Sequence, residues 1–178
     1  MTELNTKEFT LSPAGPCAKW FFAGIALLPV LILTIVWLLN PSEFAHTPVW
    51  LWILIVVLGP AILLLSMKGM RNPQATLSTE GLKIRVSFVN KTWPLSSMDR
   101  SAAKIVNLEN ASELKPRWKL YGAAMPGLKS GLFKLKSGEK AHLYITDTNK
   151  VVYIPTSNGP ILLSLENPTQ FIDYLQSL

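Results

Sequence analysis

Two long hydrophobic stretches dominate the first part of the chain. Residues 20–39 form a run of twenty in which Thr34 is the one polar side chain, and residues 49–65 form a run of seventeen with none. An α-helix rises about 1.5 Å per residue, so twenty residues cover about 30 Å, the thickness of a bilayer's hydrocarbon core. Both runs are apolar on every side, unlike an amphipathic surface helix. This pattern predicts two transmembrane helices.

A cleaved signal peptide and a pair of soluble core helices both fit these stretches less well. A signal peptide has a hydrophobic region of about 7–15 residues and a small-residue cleavage site, and the first run is too long and lacks a clean site. Core helices of a soluble protein would need a larger chain to bury them. A second run only about eight residues after the first favours a hairpin within residues 18–68, with spans of about 20–39 and 48–67.

Positive charge predicts the orientation of this hairpin. Lys7 and Lys19 precede the first span, Lys68 and Arg71 follow the second, and the connecting loop 40–47 has no Lys or Arg. By the positive-inside rule both termini are cytoplasmic. Residues 1–17 are predicted to form a flexible or surface-lying cytoplasmic tail.

From residue 74 onward the hydrophobic pattern changes to a period of two. Alternating apolar and polar residues bounded by turn residues predict short antiparallel strands. The predicted strands cover residues 76–78, 82–88, 92–95, 105–108, 117–121, 132–136, 141–146, 151–154 and 161–164. Residues 122–131, which contain glycine and proline, are predicted to be a loop. Strands at this spacing predict a small sandwich or barrel.

The chain closes with a predicted amphipathic helix. Asn167 is suited to the N-cap and Pro168 to the first helical position. One face of the helix carries the apolar residues Phe171, Ile172, Leu175 and Leu178. Such a helix can plug the open end of a bent antiparallel sheet or small barrel, so residues 74–178 are predicted to form one mainly β domain with a C-terminal capping helix.

Several segments resemble the bacterial PH-like domain family. They are residues 131–141 (Gly-Leu-Phe-Lys-Leu-Lys-Ser-Gly-Glu-Lys-Ala), 146–147, 151–156, 162–164 and the Pro168-x-x-Phe171 pattern. Asn167 stands where the family tends to have an acidic residue, a difference that concerns helix capping. The resemblance implies a PH-like fold, a bacterial inner-membrane setting and two N-terminal transmembrane helices, as in similar members. It brings no catalytic residues with it.

Composition and residue types argue against catalysis and metal binding. Hydrophobic residues make up 49% of the chain and charged residues 16%. Cys17 is the one cysteine, and the two histidines, His46 and His142, fall on opposite sides of the predicted membrane. No carboxylate pair, phosphate-binding glycine loop or metal-ligand spacing is present. His142 on a strand is more often an ordinary half-exposed residue than a base. We therefore expect no enzyme activity and no cofactor.

Charge is the remaining indication of function. Residues 115–140 contain one acidic residue, Glu139, and seven basic residues: Lys115, Arg117, Lys119, Lys129, Lys134, Lys136 and Lys140. Because they alternate with apolar residues, those of each strand are predicted to share a face. They are candidates for binding anionic lipid headgroups or an acidic protein partner. A solvated outer sheet face accounts for the pattern equally well, and nucleic acid is disfavoured by the modest net charge of +6.

Together these observations predict a membrane-tethered PH-like binding or scaffolding module. The alternative is an accessory subunit of a larger membrane transport or export complex. In that case small residues of the two spans would pack against other helices, and the chain would form homo- or hetero-oligomers. The candidate small residues are Gly24, Ala26, Gly59 and Ala61.

Overall fold

The computed structural model describes residues 6–39, 73–86 and 89–178, together with six single positions between residues 48 and 61. Helix α1 (Pro16–Leu39) has 24 residues and a mean hydropathy of 2.6 over its most apolar window, so by length and composition it could cross a membrane. It is the one helix in the described part of the chain that meets this condition. Apart from the single positions, the predicted second span and the loop before it lie outside the described residues.

In the continuously described ranges the remaining chain forms ten strands and a second helix. The strands are β1 (Lys7–Thr10), β2 (Gln74–Ser78), β3 (Gly81–Val86), β4 (Val89–Pro94), β5 (Lys104–Val106), β6 (Pro116–Met125), β7 (Leu128–Leu135), β8 (Lys140–Ile145), β9 (Val151–Ile154) and β10 (Ile161–Ser164), and the helix is α2 (Pro168–Ser177). Short 3-10 turns cover Leu95–Ser97 and Ser112–Leu114.

The strands form two sheets. The first has the order β1-β2-β3-β4 and is antiparallel throughout. The second has the order β5-β9-β10-β8-β7-β6, and β10 runs parallel to β8. The prediction of a bent antiparallel sheet or small barrel is therefore wrong in detail, because the second sheet contains a parallel pair of strands. The coarser prediction, a mainly β domain followed by a helix, is confirmed.

Residues 7–11 correct part of the prediction that residues 1–17 form a flexible or surface-lying tail, and residues 1–5 lie outside the described residues. Lys7, Glu8, Phe9 and Thr10 pair in order with residues 77 to 74 of β2. Phe9 is buried in the core, and Leu11 is completely buried. Phe9 and Leu11 are at alternate positions, so both side chains enter the core, and their burial stabilises the pairing of this short segment.

Backbone hydrogen bonds continue from β1 along the next residues. The Leu11 N–H donates to the Pro73 carbonyl at 3.0 Å, and the Ser12 N–H donates to the Ser164 carbonyl at 2.9 Å. The Glu166 N–H donates to the Thr10 carbonyl at 3.2 Å. The segment before α1 is thus hydrogen-bonded to Pro73, just before β2, and to residues 164–166, between β10 and α2.

Two apolar clusters lie on the two faces of the second sheet. One fills the space between the two sheets and α2, where Leu77, Ile161, Leu163, Phe171 and Leu175 are buried. The other lies on the opposite face and is formed by a separate set of buried residues. They are Leu108, Phe133, Leu135, Ala141, Leu143, Ile145, Val151 and Leu162.

The predicted loop 122–131 is mostly strand. Residues of β6 and β7 pair from Pro116 and Leu135 down to Met125 and Leu128, so the turn is confined to Pro126 and Gly127. Gly122 and Gly131 face each other across this hairpin with φ of 109° and 126°. These positive φ values suit glycine, and a Cβ on Gly131 would lie 2.2 Å from the Tyr121 carbonyl oxygen. Gly122 and Gly131 are therefore part of strands β6 and β7 and do not form the predicted loop.

Helix α2 begins as predicted but without the predicted cap. Pro168 occupies the first turn, and Phe171 and Leu175 are buried. Asn167 is the N-cap residue by position, with φ −121° and ψ 74°, yet its side chain makes no capping hydrogen bond. Burial of the apolar face is therefore what holds α2 in place.

Candidate functional site

Helix α1 meets the domain at the turn between β6 and β7. Ala18, in the first turn of α1, is 1% exposed. A Cβ placed on Gly127 would lie 3.5 Å from the Ala18 backbone nitrogen and 3.7 Å from the Cys17 Cβ, which is ordinary van der Waals contact. Beyond this point the side chains of α1 are largely exposed, with Trp20 at 78%.

A groove of about 480 Å³ opens beside this turn. Met125, Pro126 and Gly127 of the β6–β7 turn line one part of it. Buried apolar side chains contribute to its wall: Leu108, Leu128 and Ile145. Its polar lining consists of Glu109, Lys115, Lys129, Lys136, Thr146 and Thr148. This volume lies within the range of about 300–1,000 Å³ that is usual for small-molecule sites.

Three of the seven predicted basic residues line this groove. Lys129 lies on β7, two residues after Gly127. Lys115 and Lys136 are joined by a hydrogen bond from the Lys136 N–H to the Lys115 carbonyl, at 2.9 Å. Glu109 is the one acidic side chain among the lining residues. The residues that line the groove therefore carry a net positive charge, with three lysines against one glutamate.

Lys134 and Lys140 lie elsewhere. They are cross-strand partners on β7 and β8, and Lys134 also pairs with Trp118 on β6. Directly opposite residues share a face of a sheet, whereas positions 129 and 134 are an odd number apart and face opposite ways. The seven residues therefore do not form one continuous patch on one face.

The prediction that the basic residues of β6 share a face rested on regular alternation, and β6 is irregular. The register shifts between Pro116 and Trp118 and again between Lys119 and Tyr121. Each irregularity inserts an extra residue and changes the alternation of faces. Arg117 and Lys119 are both exposed on this edge strand.

Strand β6 also exposes three large apolar side chains. Trp118 is 62% exposed, Leu120 49% and Tyr121 67%. None of the three was among the residues predicted to form a site. The sequence could have identified them, because it places a Trp and a Tyr among Arg and Lys, a composition that is typical of membrane interfaces and binding surfaces.

His142 forms a contact between the two sheets. Lys91 Nζ of β4 lies 2.7 Å from His142 Nε2, and the rings of Trp93 and His142 are 5.2 Å apart in an edge-to-face arrangement. Lysine can only donate, so Nε2 accepts and the imidazole is neutral. Partial burial and the nearby Lys91 charge lower the pKa of His142 to about 4. Its acceptor nitrogen is already occupied, so this arrangement serves packing better than base catalysis.

The described residues contain no group of three or more His, Cys, Asp or Glu side chains that could hold a metal ion. Ser130 and Ser164 are the buried polar residues of the described core, and the Ser164 hydroxyl donates to the Asp147 carbonyl at 2.9 Å. It also accepts from the Thr146 and Asp147 N–H groups. Ser164 is thus committed to holding the β8–β9 turn.

Residues 73–178 match the family model described as a bacterial PH domain. The chain belongs to the bacterial PH domain family. No curated protein and no solved structure shows a significant match to it. PH domains are generally non-catalytic binding modules, which agrees with the arrangement around His142. The family match begins at residue 73, so strand β1 of this bacterial PH domain lies upstream of the matched region.

Proposed function

We propose that this chain is a membrane-tethered PH-like binding or scaffolding module without catalysis, held on the cytoplasmic side of a bacterial inner membrane by a two-helix hairpin. The observation that carries the proposal is the pairing of β1 with β2. These strands flank the hydrophobic part of the chain, and the family supplies the expectation of a binding module.

Pairing of β1 with β2 favours an even number of membrane crossings. Thr10 and Gln74 are cross-strand partners, so they lie on the same side of any membrane. A segment that leaves one side and returns to it must cross an even number of times. If α1 makes one crossing, residues 40–72 must make another, and this interval contains the second hydrophobic stretch.

The exposed residues of the hydrophobic part agree with a lipid environment. Among the described residues in the apolar window of α1, none is buried inside the protein. At the single positions described in the second stretch, Trp50, Ile53, Val57 and Leu58 have helical backbone and more than half of each side chain exposed. Apolar side chains exposed over such lengths are stable in lipid and costly in water.

Strand β1 also argues against a cleaved signal peptide. Cleavage after α1 would remove Phe9 and Leu11 from the core and leave the edge of β2 unpaired. A signal peptide is discarded without loss to the mature fold. Residues 7–11 of this chain belong to the folded domain instead.

Thiol labelling in sealed, right-side-out bacterial cells tests the tether and its orientation. Cys17 is exposed and serves as a native probe, and Lys150→Cys in a Cys17→Ser background places a probe in the domain. We expect an impermeant maleimide to label neither cysteine in intact cells and both after lysis, with the chain resistant to alkaline carbonate extraction. Labelling of either cysteine in intact cells would contradict the orientation, and carbonate extraction would contradict the tether.

Purification in mild detergent tests the module itself. We expect the chain to be recovered alone, as a monomer or homodimer. Stoichiometric recovery with subunits of a transport or export complex would contradict the proposal and favour the accessory-subunit alternative.

A further inference from the structure

We propose that residues 11–18 attach α1 to the domain as one rigid unit, so that the domain turns with α1 when this helix changes its tilt in the membrane. This inference rests on the proposed function, since it requires α1 to lie in a membrane. A flexible linker between α1 and the domain would let each move alone. The contacts along residues 11–18 instead hold both ends of this connection.

The first half of the connection is bound to the second sheet. Leu11 is completely buried and forms an isolated β-bridge with Leu165. The Ser12 N–H donates to the Ser164 carbonyl at 2.9 Å, and the Ser12 carbonyl accepts from the Thr146 hydroxyl at 3.2 Å. Both backbone polar groups of Ser12 are therefore held, one at the end of β10 and the other just after β8.

The second half of the connection is short and packs on the domain. Ala14 is partly buried against the apolar cluster between the two sheets. Pro16 begins α1, and the Ala18 N–H donates to the Gly15 carbonyl at 3.1 Å. Ala18 is buried beside Gly127 of the β6–β7 turn. Helix α1 is therefore docked on the domain within its own first turn.

These contacts make bending at the junction costly. Domains that are joined by exposed linkers move relative to each other by default, because few contacts cross the boundary between them. Here the contacts continue from the sheet into the helix. A bend between Ser12 and Ala18 would break hydrogen bonds that contribute about 0.5–1.5 kcal/mol each and would expose Ala18.

Rigid attachment makes the orientation of the domain depend on the tilt of α1. Transmembrane helices tilt by about 20° on average, within a range of about 0–40°, and a thinner bilayer increases the tilt. A domain of about 100 residues has a radius of gyration of about 13 Å, so its far side lies about 30 Å from the junction. A change of about 10° in tilt then moves that side by about 5 Å.

The distance between two nitroxide spin labels on the full chain tests the rigid attachment. Leu31→Cys places one label on α1, where this side chain is 61% exposed, and Lys83→Cys places the other on an exposed position of β3. Both substitutions are made in a Cys17→Ser background, and the chain is reconstituted in phosphatidylcholine nanodiscs. We expect one narrow distribution of distances, with the same mean in thin and thick bilayers.

An insertion of Gly-Gly-Ser between Gly15 and Pro16 separates α1 from the domain. It should at least double the width of the distance distribution, because such a linker is flexible. The matched control is the same insertion between residues 42 and 43, after the first hydrophobic stretch, and it should leave the width unchanged. Ala18→Trp, which places a large side chain at the buried contact, replaces the first insertion if that variant fails to fold.

Energy transfer from a dye on Lys83→Cys to acceptor lipids tests the consequence for the domain. With the native junction, the distance from the dye to the bilayer surface should shift by about 5 Å between short-chain and long-chain phosphatidylcholine. With the insertion before Pro16, the shift should fall by at least about half, because the flexible linker absorbs the change of tilt.

Three results would overturn the inference. A broad distribution for the native junction would show that the domain moves independently of α1. An equally narrow distribution with the insertion before Pro16 would show that residues 11–18 do not hold the two parts together. A distance between the labels that changes with bilayer thickness, or a dye that does not shift, would show that the domain does not turn with α1. Carbonate extraction would instead refute the tether and leave the label distance in detergent narrow, so the two failures are distinguishable.

Discussion

Phe9 connects the residues before α1 to the end of the chain. Its ring lies edge-to-face on Phe171 of α2, with centroids 5.0 Å apart, and 6.0 Å from the ring of Tyr174. Lys7 Nζ lies 5.3 Å from the centroid of the Phe9 ring and 5.2 Å from that of Tyr174. Aromatic pairs of this geometry add about 0.5–1.5 kcal/mol to the gain from burial. One residue thus packs β1 against the C-terminal helix.

Replacing Phe9 should therefore weaken the whole domain. We expect Phe9→Ala to lower the free energy of unfolding by about 3–5 kcal/mol, the usual cost of truncating a buried phenylalanine. Thr10→Ala, at the neighbouring exposed position, should cost less than about 0.5 kcal/mol. Urea unfolding of the detergent-solubilised chain, followed by tryptophan fluorescence, measures both. Equal midpoints for the two variants would show that β1 does not pack in the core.

His142 predicts a pH dependence of stability. Its folded pKa of about 4 is below the unfolded value of 6.5, because burial and Lys91 disfavour the imidazolium. Its neutral form therefore stabilises the fold fully above pH 6.5, and this contribution is lost as the pH falls from 6.5 toward 4. Solvent screening at this partly buried position limits the loss to about 1 kcal/mol.

The variant His142→Gln isolates this effect, since its amide oxygen can still accept a hydrogen bond from Lys91. We expect the stability difference between the two proteins to shift by about 1 kcal/mol in favour of the variant between pH 7 and pH 4.5. Thermal unfolding at both pH values measures it. A difference that does not change with pH would show that His142 titrates normally.

At the scale of the elements, the strands that are most buried were located best, by their apolar residues and the turn residues that bound them. Residues 141–146, 151–154 and 161–164 were predicted within one or two residues of β8, β9 and β10. These strands supply both apolar clusters, so their patterns are strong. The parallel pairing of β10 with β8 was not predictable, because alternation specifies the faces of a strand and not its neighbour.

Strand β6 shows where a pattern of period two fails. It is an edge strand with exposed residues on both faces, so its apolar and polar residues do not have to alternate. Its two register shifts then break the alternation that remains. For the same reason the basic residues could be identified from the sequence, but the groove that gathers Lys115, Lys129 and Lys136 could not. That groove depends on the connection from β5 to β6 and on the β8–β9 turn.

Strand β1 is the element whose importance can be tested separately. Because β1 pairs antiparallel with β2, a flexible linker can replace residues 16–72 and join the two strands directly. We expect residues 6–15 fused through about ten Gly and Ser residues to residues 73–178 to give a soluble, cooperatively unfolding protein.

The fragment 73–178, which corresponds to the family match, is the control. Without β1 it exposes the edge of β2 and loses the packing of Phe9 and Leu11, so it should unfold at a clearly lower urea concentration or aggregate. Equal stability of the fusion and the fragment would contradict the role assigned to β1.

At the scale of the whole molecule, the hydrophobic part of the chain is an insertion between two neighbouring strands of one sheet. The chain leaves the sheet after β1 and the residues that follow it, and returns to the sheet at β2. The two hydrophobic stretches predicted that the chain meets a membrane. The prediction that the N-terminal residues lie on the same side of it as the domain rested on the positive-inside rule alone. The β1–β2 pairing is a physical reason, independent of charge, for both ends to lie on the same side.

A disulfide between β1 and β2 in native membranes tests this arrangement most directly. Glu8 and Thr76 are cross-strand partners, so Glu8→Cys/Thr76→Cys in a Cys17→Ser background places two thiols within bonding reach. We predict rapid crosslinking on mild oxidation of isolated membranes, and much slower crosslinking of the out-of-register pair Glu8→Cys/Gln74→Cys. The account would be contradicted if the in-register pair failed to crosslink or if both pairs crosslinked equally. Either result would mean that β1, which precedes the hydrophobic part of the chain, does not pair with β2, which follows it.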